Sequence, residues 1–246
     1  SNDAGRISRS TAIGMMAKVY LFEKDYAKCA ELCKTLYSEG KRGLLNQYDD
    51  VFDSKYNNSK ESLLAIQSLI EKKESPAQTT CYGDFTEDDD SPYNNGSAIA
   101  PLLPFASYYV PKEDQWYDTE NDNRWGFNFR LASESKYKEL IDGTGTSAKH
   151  LGAGIKYKGE IVRMPYIVKF CDVNNRRPDR SGTSLNFPIL RWSDVLLMYA
   201  EALNEQGNTG EAFTYINEVR KRAYTNKDNT LNPGWELKGL SQSELR

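Results

Sequence analysis

Histidine is nearly absent: His150 is the only one in 246 residues, and it is flanked by glycine-rich sequence. That scarcity removes most zinc sites of the His-rich kind and makes any Ser-His or Cys-His catalytic pair depend on a single residue. Cysteine is also scarce. Cys29, Cys33, Cys81 and Cys171 contain no CxxC pair, and Cys29 with Cys33 sits at helical spacing in an apolar stripe, so buried thiols packing as small hydrophobes are expected. Positive charge is not in excess. The formal net charge is -3 with both signs interspersed, whereas a phosphate-binding surface needs clustered Lys and Arg, so nucleic acid is excluded as the expected partner. No apolar run approaches the ~20 residues of a bilayer span, and the first residues do not resemble a secretory leader.

Two superficially functional stretches also lack what their chemistry requires. The acidic run Glu87 to Asp90 has neither the alternating ligands nor the internal glycine of an EF-hand loop and reads as a solvated loop. Asp142 to Thr146 is followed by no GKS or GKT and reads as a turn. No metal and no cofactor is expected. The chain has 35 acidic residues, so some carboxylate pair suited to glycoside hydrolysis can always be proposed, and such a pair carries no weight.

Aromatic side chains are plentiful, with 16 tyrosines in a composition that is 39% apolar and 27% charged, as expected of a globular protein. Apolar periodicity predicts helices at both ends. Ser8 or Ser10 caps a helix with Ile13, Met16, Ala17, Tyr20 and Leu21 on its buried face. Asp25 caps a second with Cys29, Leu32, Cys33 and Leu36, and Gly40 stops it. Near the other end Ser193 or Asp194 starts a helix carrying Leu196, Tyr199, Ala200 and Leu203, which Gly207 halts. Thr209 caps its partner, which carries Ala212, Phe213, Ile216 and Val219. Placing Ala17 on Ala200 aligns Cys29 with Ala212, Cys33 with Ile216 and Leu36 with Val219 without a gap, so the hairpins near 8–39 and 193–223 read as repeats close to the ~34-residue tetratricopeptide unit. The residues between the hairpins hold a possible strand or helix at Ser62 to Ile70 and strand-like content at Ile161 to Phe170 broken by Pro165. They also hold a Pro- and aromatic-rich loop region at 72–130, the kind of long loop that carries function.

Several segments together resemble one family: Gly5-Arg6-Ile7-Ser8 leading to Ala17-Lys18-Val19-Tyr20-Leu21, then Asp25-Tyr26-Ala27, and ESLLAIQ from Glu61 to Gln67. The strongest are FPILRWSDVLLMYAEALNE from Phe187 to Glu205 and Ile216 to Ala223. The pattern resembles SusD-like (RagB/SusD) nutrient-binding proteins over Gly5 to Arg246, and Asp122-Asn123-Arg124 resembles that family's central Asp-x-Arg element. The resemblance implies a mainly α fold, a tetratricopeptide-like helical hairpin scaffold with long irregular loops and a few short strands. Residues 1–246 are then expected to be a single SusD-like domain and a fragment of a longer protein. It further implies a lipid-anchored protein of the Bacteroidetes outer membrane, surface-exposed. Such a protein binds glycan without catalysis and delivers it to a SusC-like TonB-dependent transporter, the lipid anchor being absent from this chain. Peptide binding in another branch of the family, a protein-interaction scaffold of tetratricopeptide type and a helical-barrel enzyme are the alternatives.

A sugar offers an apolar face and a fringe of hydroxyls, so its capture needs a flat ring beside short polar side chains. Tyr82 with Asp84, Tyr93 with Asn94 and Asn95, and Trp116 with Gln115 supply that pairing, and Trp116, amid charged neighbours, is the leading candidate. Trp125 and Trp192 read as packing. Arg191 and Asp194 read as an ion pair tying a helix start to the preceding chain.

Overall fold

The structure is a computed structural model, and it describes residues 5–69, 120–131, 155–157, 160–162, 165–167 and 184–246. Within these residues the fold is mainly α with a few short strands. The chain forms two compact units, one of residues 1–67, 120–123 and 186–246 and one of residues 68–119 and 124–185.

The first unit is built from the two expected hairpins. Helix α1 runs over Arg9–Phe22 and α2 over Tyr26–Ser38. Ser8 is the cap of α1, accepting from the Thr11 N–H while the Thr11 hydroxyl accepts from the Ser8 N–H, so two orphan donors are satisfied reciprocally. Asp25 caps α2 by accepting from the Lys28 N–H at 3.1 Å. Gly40 follows with φ +61°, the left-handed conformation that ends helices cheaply only at glycine. Helices α4 (Trp192–Glu205) and α5 (Thr209–Ala223) form the second hairpin. The aligned positions share their fate: Ala17, Ala200, Cys29, Ala212, Leu36 and Val219 are all buried. Helix α2 packs against α4, so the two hairpins share one core.

Four local expectations need correction. Met16 is 49% exposed. The face that α1 buries is Ser10, Thr11, Gly14 and Ala17, because small residues let the helix lie close to a strand pair. Helix α4 starts at Trp192 with Arg191 as its cap, so Ser193 and Asp194 lie inside its first turn. The Asp194 carboxylate accepts from the Arg191 backbone N–H at 2.7 Å, whereas the Arg191 guanidinium faces Glu61 at 3.9 Å, so the expected Arg191–Asp194 ion pair is a helix-cap hydrogen bond. The cap of α5 is Asn208, and the Thr209 hydroxyl instead donates to Asn204 Oδ1 at 2.8 Å.

Strand β1 (Ser62–Ile66) pairs antiparallel with β6 (Phe187–Arg191), bringing Ile66 opposite Phe187 and Leu64 opposite Leu190. The Ser62 to Ile70 run is thus a strand over its first five residues. Leu63 and Leu190 turn inward, and the Thr11 hydroxyl donates to the Leu63 carbonyl. A Cβ on Gly14 would stand 2.8 Å from Leu190 Cδ2 and 3.1 Å from Leu63 Cδ2, which is why α1 carries glycine where it crosses the ribbon. Two 3₁₀ turns, Asp49–Phe52 and Ser54–Tyr56, lead into β1.

After Ala223 the chain is held against the helices by side chains of the Ile216 to Ala223 segment. Asn217 brackets Leu237, donating to its carbonyl at 2.9 Å and accepting from its N–H at 2.8 Å. Arg220 donates to the Trp235 and Gly234 carbonyls. A short helix α6, Gln242–Leu245, is tied by its first residue to Asn204 in α4.

A short helix α3 (Asn123–Asn128), whose first residue is counted with the first unit and the rest with the second, leads into β2 (Phe129–Leu131). Strand β2 pairs with β5 (Pro165–Ile167), and β3 (Ile155–Tyr157) pairs with β4 (Glu160–Val162), both antiparallel. Pro165 opens its strand, a position where the missing N–H is tolerated. Among the described residues no helix is long and apolar enough to cross a membrane.

Candidate functional site

The rings and polar partners expected to hold ligand, Tyr82, Asp84, Tyr93, Asn94, Asn95, Gln115 and Trp116, lie outside the described residues. So do His150, Cys81, Cys171, the acidic run Glu87 to Asp90, the glycine-containing turn Asp142 to Thr146 and the Trp125 ring. Cys29 and Cys33 are fully buried and free, as their spacing implied.

Among the described residues several aromatic side chains serve packing. Trp192 is 3% exposed and stacks on Tyr37, whose other neighbour Tyr215 meets it edge-on at 5.1 Å and leans on Tyr199 at 4.2 Å. Tyr37 is half-exposed and donates its hydroxyl to Glu218 at 2.6 Å, and that acceptor, with partial burial, pushes its phenol up to about 12. Phe22 is 78% exposed, on the outer face of α1 with Met15, Met16 and Val19. Among the described residues no group of three His, Cys, Asp or Glu side chains could hold a metal ion.

The chemistry of this unit is concentrated instead around Glu61, the first residue of ESLLAIQ, which is 1% exposed. Its two carboxylate oxygens accept from Arg222 Nη1 at 3.1 and 3.0 Å, and Oε2 also accepts from the Leu45 N–H at 2.7 Å. Burial pulls the Arg222 guanidinium below its ordinary value; Glu61 opposes that shift and nearby Arg191 adds to it. The Glu61 carbonyl accepts from the Trp192 N–H at 2.7 Å, so one residue joins β1, the start of α4 and the end of α5. Breaking such a buried pair by removing one partner costs about 3–5 kcal/mol.

Beyond the other end of the ribbon sits a cluster of amides. Gln67 and Asn58 exchange hydrogen bonds at 2.9 and 3.1 Å, Asn186 donates to Gln67 at 2.9 Å, and the Asn186 N–H donates to Asn57 at 3.1 Å. Asn58 holds φ +57°, a left-handed conformation that asparagine tolerates. Asn123 is fixed by donating to the Thr225 carbonyl at 2.9 Å, and Asp122 is buried. Between the amides and the buried ion cluster lies a cavity of ≈ 30 Å³ lined by Asn57, Ser59, Ser62, Asn186, Glu61 and Arg191, among others. Ligand pockets of drug size run to about 300–1,000 Å³, so this cavity cannot take a sugar ring. Sequence reasoning missed it because Glu61, Asn186 and Arg191 converge only through the pairing of distant strands.

The SusD family model matches residues 52–245. SusD-like protein P25 of Formosa agariphila is 29% identical over 99% of this chain and 46% of its own length. The chain spans about half the length of the curated relatives it matches. A SusD superfamily protein from Parabacteroides distasonis aligns with a TM-score of 0.62 at 21% identity, over 99% of this chain and 48% of that one. Surface glycan-binding protein A from Bacteroides thetaiotaomicron, solved in complex with laminarihexaose, aligns with a TM-score of 0.53 at 17% identity, over 96% of this chain and 51% of that one. The matched range takes in Glu61, the start of α4 and the polar side chains of α5 described above; the chain belongs to the SusD family.

Proposed function

We propose that this chain is part of a single SusD-like domain in a non-catalytic surface protein that captures glycan and passes it to a SusC-like TonB-dependent transporter. The observation that carries the reading is the family match over residues 52–245, and the laminarihexaose complex of a protein of like fold gives it a ligand class. Capture is reversible and needs no covalent chemistry. Trp116, Tyr93 and Tyr82 stack on sugar faces, while Asp84, Asn94, Asn95 and Gln115 hydrogen-bond to hydroxyls. The protein is held at the outer surface of the outer membrane by a lipid anchor.

Titration calorimetry of the purified chain against a panel of plant, host and microbial oligosaccharides tests the reading. One class of glycan is expected to bind saturably, and Trp116→Ala is expected to weaken it at least tenfold, about 1.4 kcal/mol. No heat from any sugar, with saturable heat from peptides, would replace glycan by peptide. Cleavage of a polysaccharide by the pure protein would overturn the non-catalytic reading.

A further inference from the structure

Two guanidinium groups, Arg191 and Arg222, stand beside one carboxylate, Glu61, in a buried region. Glu61 is committed to Arg222 and to the Leu45 N–H, leaving only a 3.9 Å approach to Arg191. Asp194, the nearest acid in sequence, is engaged by the backbone N–H of Arg191 and forms no ion pair with its guanidinium. The Arg191 side chain is 19% exposed, and among the described residues its guanidinium makes no hydrogen bond; Nη1 is a buried donor without an acceptor. The Phe52 ring lies 5.8 Å from it. A guanidinium carries five donors, and leaving them unmet in a low-dielectric site is costly. The cluster therefore holds one uncompensated positive charge, and Arg191 lines the cavity.

The cavity supplies the other half of a site. Its walls include Ser59 and Ser62, whose hydroxyl protons can rotate toward a guest. Its ≈ 30 Å³ accepts roughly one water-sized sphere, which excludes a sulfate, a phosphate monoester or a pyranose ring.

We propose that this cavity is a structural anion site, occupied by a monovalent anion no larger than a halide ion or a single carboxylate group. The anion neutralises Arg191 and bridges the strand ribbon to the amide cluster. None of the residues that line the cavity is among the proposed glycan-binding residues.

Thermal unfolding at matched ionic strength tests this with sodium chloride, bromide, acetate and galacturonate, against sodium methanesulfonate as a bulky monovalent control. A saturable rise of about 3 °C is expected at ten times the half-saturating concentration of an accepted anion, with none in methanesulfonate and none in Arg191→Met. A response to chloride and bromide identifies a free inorganic ion; one confined to acetate and galacturonate identifies the carboxylate of an acidic ligand. Equal curves in all five salts, or an undiminished response in Arg191→Met, would overturn the proposal. Should Arg191→Met fail to fold, bromide-soaked crystals of the unaltered chain decide. An anomalous peak within hydrogen-bonding distance of Arg191 from bromide, or from bromoacetate soaked in its place, supports the site, and its absence from both soaks sinks it.

Discussion

Tyr37 shows how a half-exposed residue can report on the whole hairpin pair. Its phenol donates from α2 to Glu218 on α5, and this bond, reinforced by partial burial, raises it to about 12 from an ordinary value near 10. A raised folded value means that the stabilising contribution is complete below about pH 10 and is lost as pH rises toward 12. Tyr199 shifts in the same direction, chiefly through burial. Absorbance titration at 295 nm is therefore expected to show a late-ionising class of tyrosines, and Tyr37→Phe should remove one phenol from it. An unchanged late class would mean that the Tyr37–Glu218 bond does not persist in solution.

At the scale of elements, α1 has two faces of unequal consequence. Its outer face exposes Met15, Met16, Val19 and Phe22, while its inner face meets the ribbon through Gly14 and Ala17. Val19→Glu is expected to change the stability of this chain by less than about 0.5 kcal/mol, as at other surface sites. Gly14→Val should cost more than about 2 kcal/mol, because it forces Leu190 and Leu63 off their packing. Urea denaturation of both variants checks the contrast, and similar midpoints would mean that α1 does not seat on the ribbon.

The same helix shows what the sequence could and could not disclose. Helix existence, the Asp25 cap and the equivalence of the hairpins were legible, since 3.6-residue periodicity survives in a single chain. On α1, Ile13, Ala17, Tyr20 and Leu21 do pack on the core as their spacing implied, but an apolar-residue criterion favours Met16 over Gly14, although close approach to a strand selects the smaller residue. The pairing of β1 with β6 and the Glu61–Arg222 bond, 161 residues apart, left no local signal. Trp116 and the other residues expected to hold ligand were legible only as rings beside polar neighbours, a pattern that says nothing of how they converge.

For the molecule as a whole, the ribbon is the joint that brings together the chain before residue 67 and the chain after residue 186. Ile66 lies opposite Phe187, so a disulfide between Ile66→Cys and Phe187→Cys is expected to form on oxidation. It should raise the unfolding free energy by up to about 4–5 kcal/mol, the loop-closure value for a link of roughly this span. Comparison of oxidised and reduced urea midpoints measures the gain, and failure to oxidise in the folded state would contradict the register.

Gln67 and Asn186 are hydrogen-bonded neighbours although 119 positions apart. Loop-closure cost grows only logarithmically, about 0.6 kcal/mol for each doubling of length. Insertions and deletions between these two residues consequently burden the joint very little. In evolutionary terms the amide cluster is a socket: a lineage can rewrite the stretch between Gln67 and Asn186, in length as well as in sequence, while inheriting the paired hairpins unchanged.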